Sequence, residues 1–154
     1  MIALLEADPS IRATLDAVHP AGDHRHALAR IVWSVLAEPG DGVAGTLIDE
    51  LGPLDALRYA LDEKSSTAAS VSGRAIADGR SRWRSRAEPA TVADAISGAR
   101  DVGARLVLPG DPAWPEGLDD LGVHAPMVLW VRGDVDLLGA GPRVAIVGAR
   151  AASG

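Results

Sequence analysis

The hydrophobic period changes at Gly103, and that change limits what the chain can fold into more than any other feature. Before it, apolar residues recur at intervals of three and four, the spacing of a helix that buries one face. After it they come in short unbroken runs, Arg105-Leu-Val-Leu108, Met127-Val-Leu-Trp-Val131 and Arg143-Val-Ala-Ile-Val147, each closed within two residues by Gly or Pro. Continuous runs of Val, Ile and Leu read as strands covered on both faces, the pattern of a parallel sheet in an α/β unit. The expected fold class is therefore α+β to α/β. An N-terminal extension occupies 1–23, a helical module 24–102, and the beginning of a sheet-containing domain 103–154.

Within the first part, Pro9 suits a helix start, and one helix is expected from about Ser10, with Leu4, Leu5, Ile11, Leu15 and Val18 as apolar positions. The turn Pro20-Ala-Gly-Asp23 offers Asp23 as a cap for a helix carrying Ala27, Ile31, Val32, Val35 and Leu36 on one stripe. Glu38-Pro-Gly-Asp-Gly42 breaks the chain. A short helix over Val43–Leu51 then buries Val43, Leu47, Ile48 and Leu51, Gly52 stops it in a left-handed conformation before Pro53, and another helix runs from Leu54 to about Leu61. Small polar residues over Lys64–Gly73 read as a hinge, and helix resumes toward Arg86 with Ala75, Ile76 and Trp83 inward. Beyond Pro89, Thr91 and Asp94 are spaced like a capping box, and that helix ends at Gly103.

Composition narrows the function classes. Hydrophobic residues make up 47% of 154, enough to fold, but rings are scarce: four Trp, one Tyr and no Phe. Each Trp is thus a candidate packing anchor. With no Cys, disulfides, thiolate nucleophiles and Cys-ligated zinc are excluded, which fits a cytoplasmic protein. His19, His24, His26 and His124 form no ligand set, no Ser has a base at a motif spacing, and no apolar stretch is long enough to span a membrane. The reading is of a protein without catalytic residues, metal or cofactor. The net charge of −6 opposes whole-surface nucleic-acid binding, yet its distribution is uneven. Arg74, Arg80, Arg82, Arg84 and Arg86 face one acid, Asp78, between Ser72 and Arg86, whereas Pro109–Gly141 is acidic.

Three motifs carry the functional reading. Arg80-Ser-Arg-Trp-Arg-Ser-Arg86 is a basic run with one aromatic: Arg80, Arg82, Arg84 and Arg86 could collect on phosphate while Trp83 stacks on a base, or the run could be a solvated helix face with Trp83 in the core. Glu38-Pro-Gly-Asp-Gly-Val43 resembles a helix-hairpin-helix turn, except that Asp41 stands where an apolar residue is usual and would repel phosphate, which favours a packing role. The strand ending in Gly148 opens toward small residues. There Gly148 lets an anion approach free backbone amides, Arg150 adds a guanidinium and Ser153 a hydroxyl; the alternative is a solvated Arg150 at the terminus.

Four elements in order then converge on one family. Asp111 precedes Trp114-Pro115, a Pro126-led strand ends in Gly133, and the strand to Val147 is followed by Gly148-Ala149-Arg150 and by Ala152-Ser153-Gly154. This segment resembles the entry to the Rossmann-like domain of the DNA-processing protein A (DprA/Smf) family, strongly over the last third and weakly over His26–Leu61. The resemblance implies a sterile-alpha-motif-like helical module joined to the start of a Rossmann-like domain. It also implies a non-catalytic mediator that binds single-stranded DNA, protects it during natural transformation and loads RecA recombinase, as a homodimer and away from membranes. The phosphate role of Arg150 and Ser153 is implied with it. A nucleotide- or phosphoribosyl-processing enzyme and a helical protein-interaction module are the other readings. Because no crossover helix follows the last strand before Gly154, the strands are expected to leave apolar edges open to self-association or early proteolysis.

Overall fold

The structure, a computed structural model, describes residues 1–20, 22–62 and 70–139. Six helices come first: α1 (Ile2–Ala7), α2 (Pro9–Val18), α3 (His24–Leu36), α4 (Gly42–Leu61), α5 (Gly73–Ser85) and α6 (Pro89–Asp101). Two strands follow, β1 (Ala104–Val107) and β2 (Leu129–Arg132), separated by a 3-10 helical stretch over Glu116–His124; a second such turn spans Val135–Leu138. This is an α+β arrangement.

The helix starts follow local chemistry. Asp8 accepts a hydrogen bond from Ser10 N and caps α2, the helix expected from about Ser10; α1, not expected from the sequence, precedes it with Leu4 exposed and Leu5 buried. Asp23 caps α3 through Arg25 N and His26 N, as the sequence indicates. Gly52 has φ of 74°, which kinks α4 ahead of Pro53 where the helical pattern is interrupted. Ser72 caps α5 through Ala75 N; most of the expected hinge before it lies outside the described residues. Thr91 does not cap. The last helix begins at Pro89 behind Glu88, because proline at the first position needs no donor satisfied, and Thr91 falls inside its first turn. Gly103, with φ of 69°, turns the chain out of α6.

α3 is the centre of the bundle and touches each of the other five helices. It is apolar nearly all round: Leu28, Ala29 and Trp33 are as buried as the expected Ala27, Ile31, Val32 and Leu36, while Val35 is only partly covered. Fully buried alanines at 27, 29, 44, 56 and 60 let the helices approach closely.

The two strands pair antiparallel, Leu106 opposite Trp130 and Val107 opposite Leu129, which corrects the expected parallel relation. Their separation includes no long helix: the chain returns through the 3-10 stretch, so the second strand enters from the opposite end, and a parallel pair would need a crossover. Nor is β1 uncovered. It packs on α2 and α6, and Leu106 and Leu108 join the helical core, while Arg105 points out. β2 is half-buried, with Trp130 against the same core. The third expected strand, Arg143–Val147, lies outside the described residues.

Candidate nucleic-acid interface

Arg80 and Arg82 of α5, and Arg86 just after it, are used within the fold. The Arg80 guanidinium lies over the Tyr59 ring, 4.6 Å from its centroid, and donates to Tyr59 O at 2.5 Å and Asp62 O at 3.4 Å. Arg82 Nη2 donates to Asp41 Oδ2 at 3.3 Å. Arg86 reaches back to Leu36 O at 3.4 Å and pairs with Glu38. Arg84 is half-buried. Arg74, 93% exposed, stands 4.0 Å from Asp78 and is the member of the group most open to water. Placing cations at alternate positions of a helix is unfavourable unless acceptors lie beside them; here the acceptors are supplied by α4 and by the α3–α4 connection.

Trp83 is fully buried. Its ring meets Trp33 edge to face, centroids 5.2 Å apart at 86°, and no face remains for a base to stack on. Gly79, one turn earlier, makes room for it: a Cβ there would come within 2.7 Å of the indole.

The same contacts explain Asp41. Its Oδ1 accepts from Val43 N at 3.1 Å and Ala44 N at 3.2 Å, capping α4, while Oδ2 accepts from Trp83 Nε1 at 3.1 Å and from Arg82. The carboxylate is 6% exposed. A hairpin of this shape would offer a phosphate the first amides of the second helix. In this chain an internal carboxylate already holds two of those amides and adds two side-chain donors, so the departure from the usual pattern supports packing.

Gly148, Arg150 and Ser153 lie outside the described residues. The family-like residues before them are structural. Asp111 Oδ2 accepts from Leu108 N at 2.8 Å, closing the Pro109-Gly110 turn, and meets His19 Nε2 at 3.0 Å from the end of α2. Trp114 is buried and donates through Nε1 to Asp119 at 2.9 Å. Asp134 accepts from Asp136 N and starts the Val135–Leu138 turn, in keeping with a capping role. His24 lies 3.3 Å from Asp16. Among the described residues no three His, Cys, Asp or Glu cluster as metal ligands, and no helix is long and apolar enough to cross a membrane.

One cation went unread in the sequence. Arg30 interrupts the apolar run of α3 and lines a cleft of about 560 Å³ between α3, α4 and the segment from Asp119 to Met127. Its Nη1 donates to Met127 O at 3.5 Å, its Nε is enclosed without an acceptor, and burial pushes its pKa down. Burial also lowers the pKa of His26, one turn earlier, and the positive charge of Arg30 adds to that; Asp23 and Asp111 act in the opposite sense. The signal was present: a charge flanked by Ala-Leu-Ala and Ile-Val-Trp sits on a face that must be covered.

Residues 105–154 match the family model of DNA recombination-mediator protein A. The match begins in β1 and runs through every element after it, including the Gly148-Ala-Arg150 motif. It supports a relation to that family over the last third of the chain and, in general terms, a role in DNA recombination. No curated protein and no solved structure matches the chain.

Proposed function

We propose that the chain acts as a single-stranded-DNA-binding recombination mediator of the DprA/Smf type, without a catalytic step of its own. In this reading 103–154 is the beginning of a Rossmann-like domain, RecA recombinase is the partner, and the acting form is a homodimer. The family match over residues 105–154 carries it. The phosphate contacts are assigned to Gly148, Arg150 and Ser153, where a strand end, a guanidinium and a hydroxyl coincide in sequence. Arg80, Arg82 and Arg86 are assigned to bracing the fold, since each already has an acceptor.

Fluorescence anisotropy with a single-stranded oligonucleotide at two salt concentrations tests this. With few phosphate contacts and a net charge of −6, binding is expected to be weak, with a logarithmic salt slope of about −1 to −2. Arg150→Ala is expected to weaken it more than Arg82→Ala. Equal losses, or a larger loss at Arg82 with the fold intact, would move the DNA to α5, and tight binding indifferent to salt would refute the electrostatic account.

A further inference from the structure

We propose that the cleft beside Arg30 is a binding site for a carboxylate carried on an apolar body. It is argued separately from the DNA reading, since among the described residues no part of α5 lines it. Its volume of about 560 Å³ is that of a small-ligand site. The walls are mostly apolar, with Ile48 and Pro53 from α4 facing Val123, Pro126 and Met127.

Arg30 decides the chemistry. Among the described residues it is the only cation lining the cleft and meets no carboxylate; its one hydrogen bond is long and goes to a neutral carbonyl. Arg30 is half-buried with its Nε enclosed, and a guanidinium partly withdrawn from water gains from an anion, because a carboxylate can take two of its parallel N–H groups at once. Burial lowers the pKa of Arg30, in keeping with its enclosed position.

The other charges select among anions. Asp49 and Asp119 line the same cleft, and Asp119 is held by Trp114 Nε1 rather than by Arg30. The two acids oppose every added negative charge, so a phosphate dianion or a DNA backbone is disfavoured more strongly than a single carboxylate, whose one charge Arg30 can meet. The floor is preformed: a Cβ on Gly45 would lie 1.8 Å from Val123 O, so α4 and the 3-10 stretch touch backbone to backbone there. Little reorganisation is then required on binding.

Titration of the full chain with N-acetyl-leucine, followed by amide and arginine Nε–H NMR shifts, tests the site. Saturable shifts at Arg30, Ile48 and Met127 are expected. N-acetyl-leucine amide, acetate and inorganic phosphate should each bind at least about tenfold more weakly, the first for want of charge, the second of an apolar body, and the third for excess charge. Arg30→Gln should abolish the shifts. Should that variant fail to fold, Asp49→Asn, a surface change, still decides: removing an acid from the cleft should tighten N-acetyl-leucine binding. No saturable shift in the unaltered chain, an amide that binds as well as the acid, phosphate that binds more tightly, or weaker binding in Asp49→Asn would each overturn the proposal.

Discussion

The bundle around α3 and the segment from Ala104 to Gly139 are held in different ways. α3 is enclosed by apolar side chains from five helices, and Trp33, Ile31 and Val32 are completely buried. Beyond β1 and Trp114, few side chains are buried, and the segment is attached largely through particular contacts. These are His19 with Asp111, the His124 ring with Gly40 O at 2.9 Å, Arg30 with Met127 O, and the backbone approach of Gly45 to Val123. Area-driven burial tolerates small rearrangements, whereas a few polar and close-packed contacts depend on position. Changes in the bundle should lower global stability, and changes at the contacts should loosen the segment alone.

The largest effect is expected from Trp83→Ala, which removes a fully buried ring and the T-shaped contact to Trp33. A loss of about 3–5 kcal/mol in chemical denaturation is expected, with amide exchange rising throughout α3, α4 and α5. Exchange confined to α5 would mean that the bundle is less cooperative than its continuous core indicates. Asp41→Ala comes next. It removes a helix cap and strands the buried Trp83 Nε1 donor, at a cost of roughly 2–3 kcal/mol. A near-neutral result would show that water replaces the carboxylate, and the bracing role given to Arg82 would go with it.

Gly45→Ala separates the two regions most directly. The added methyl collides with the Val123 carbonyl, and the overpacking cost of about 1–3 kcal/mol is partly offset by roughly 1 kcal/mol of helix propensity. Faster exchange is expected over Glu116–Arg132 with α3 unaffected; protection lost equally in both would erase the distinction between them. The smallest effect is a pH dependence. Because the folded pKa of His26 lies below its ordinary value, the unfolded chain takes the proton more readily, so stability should fall as pH drops through the ordinary histidine range. His26→Gln should flatten that part of the profile, as followed by thermal unfolding across pH 5 to 8, the range in which histidine titrates.

Much of the bundle was legible because its signals are local. Asp23 caps the helix that begins beside it, Gly52 and Pro53 interrupt a helix by their own backbone preferences, and of the two readings open for Trp83 the scarcity of rings favoured the core, where it lies. The arginine run was ambiguous for the opposite reason. Repulsion along the helix is visible in sequence, but the acceptors that offset it, Tyr59 O, Asp62 O, Leu36 O, Glu38 and Asp41, come from residues 18 to 50 positions away. Strand direction was misread because unbroken Val and Leu runs report coverage on both faces, not orientation, and the coverage of β1 comes from α2 and α6.

By itself, then, the sequence determined several helix boundaries, such as the Asp23 cap and the break at Gly52-Pro53, that the period changes at Gly103, and that residues 105–154 resemble a DNA recombination mediator. These depend on backbone preference, on spacing within one element and on the order of short motifs, all of which are read along the chain. Tertiary structure decided that the strands run antiparallel, that Asp41 fills its own hairpin, and that Arg30 lines a cleft where, among the described residues, it pairs with no carboxylate. Each of those depends on which distant residue arrives beside a given group, and such meetings are set by how the apolar faces pack together, which no single stretch of sequence specifies.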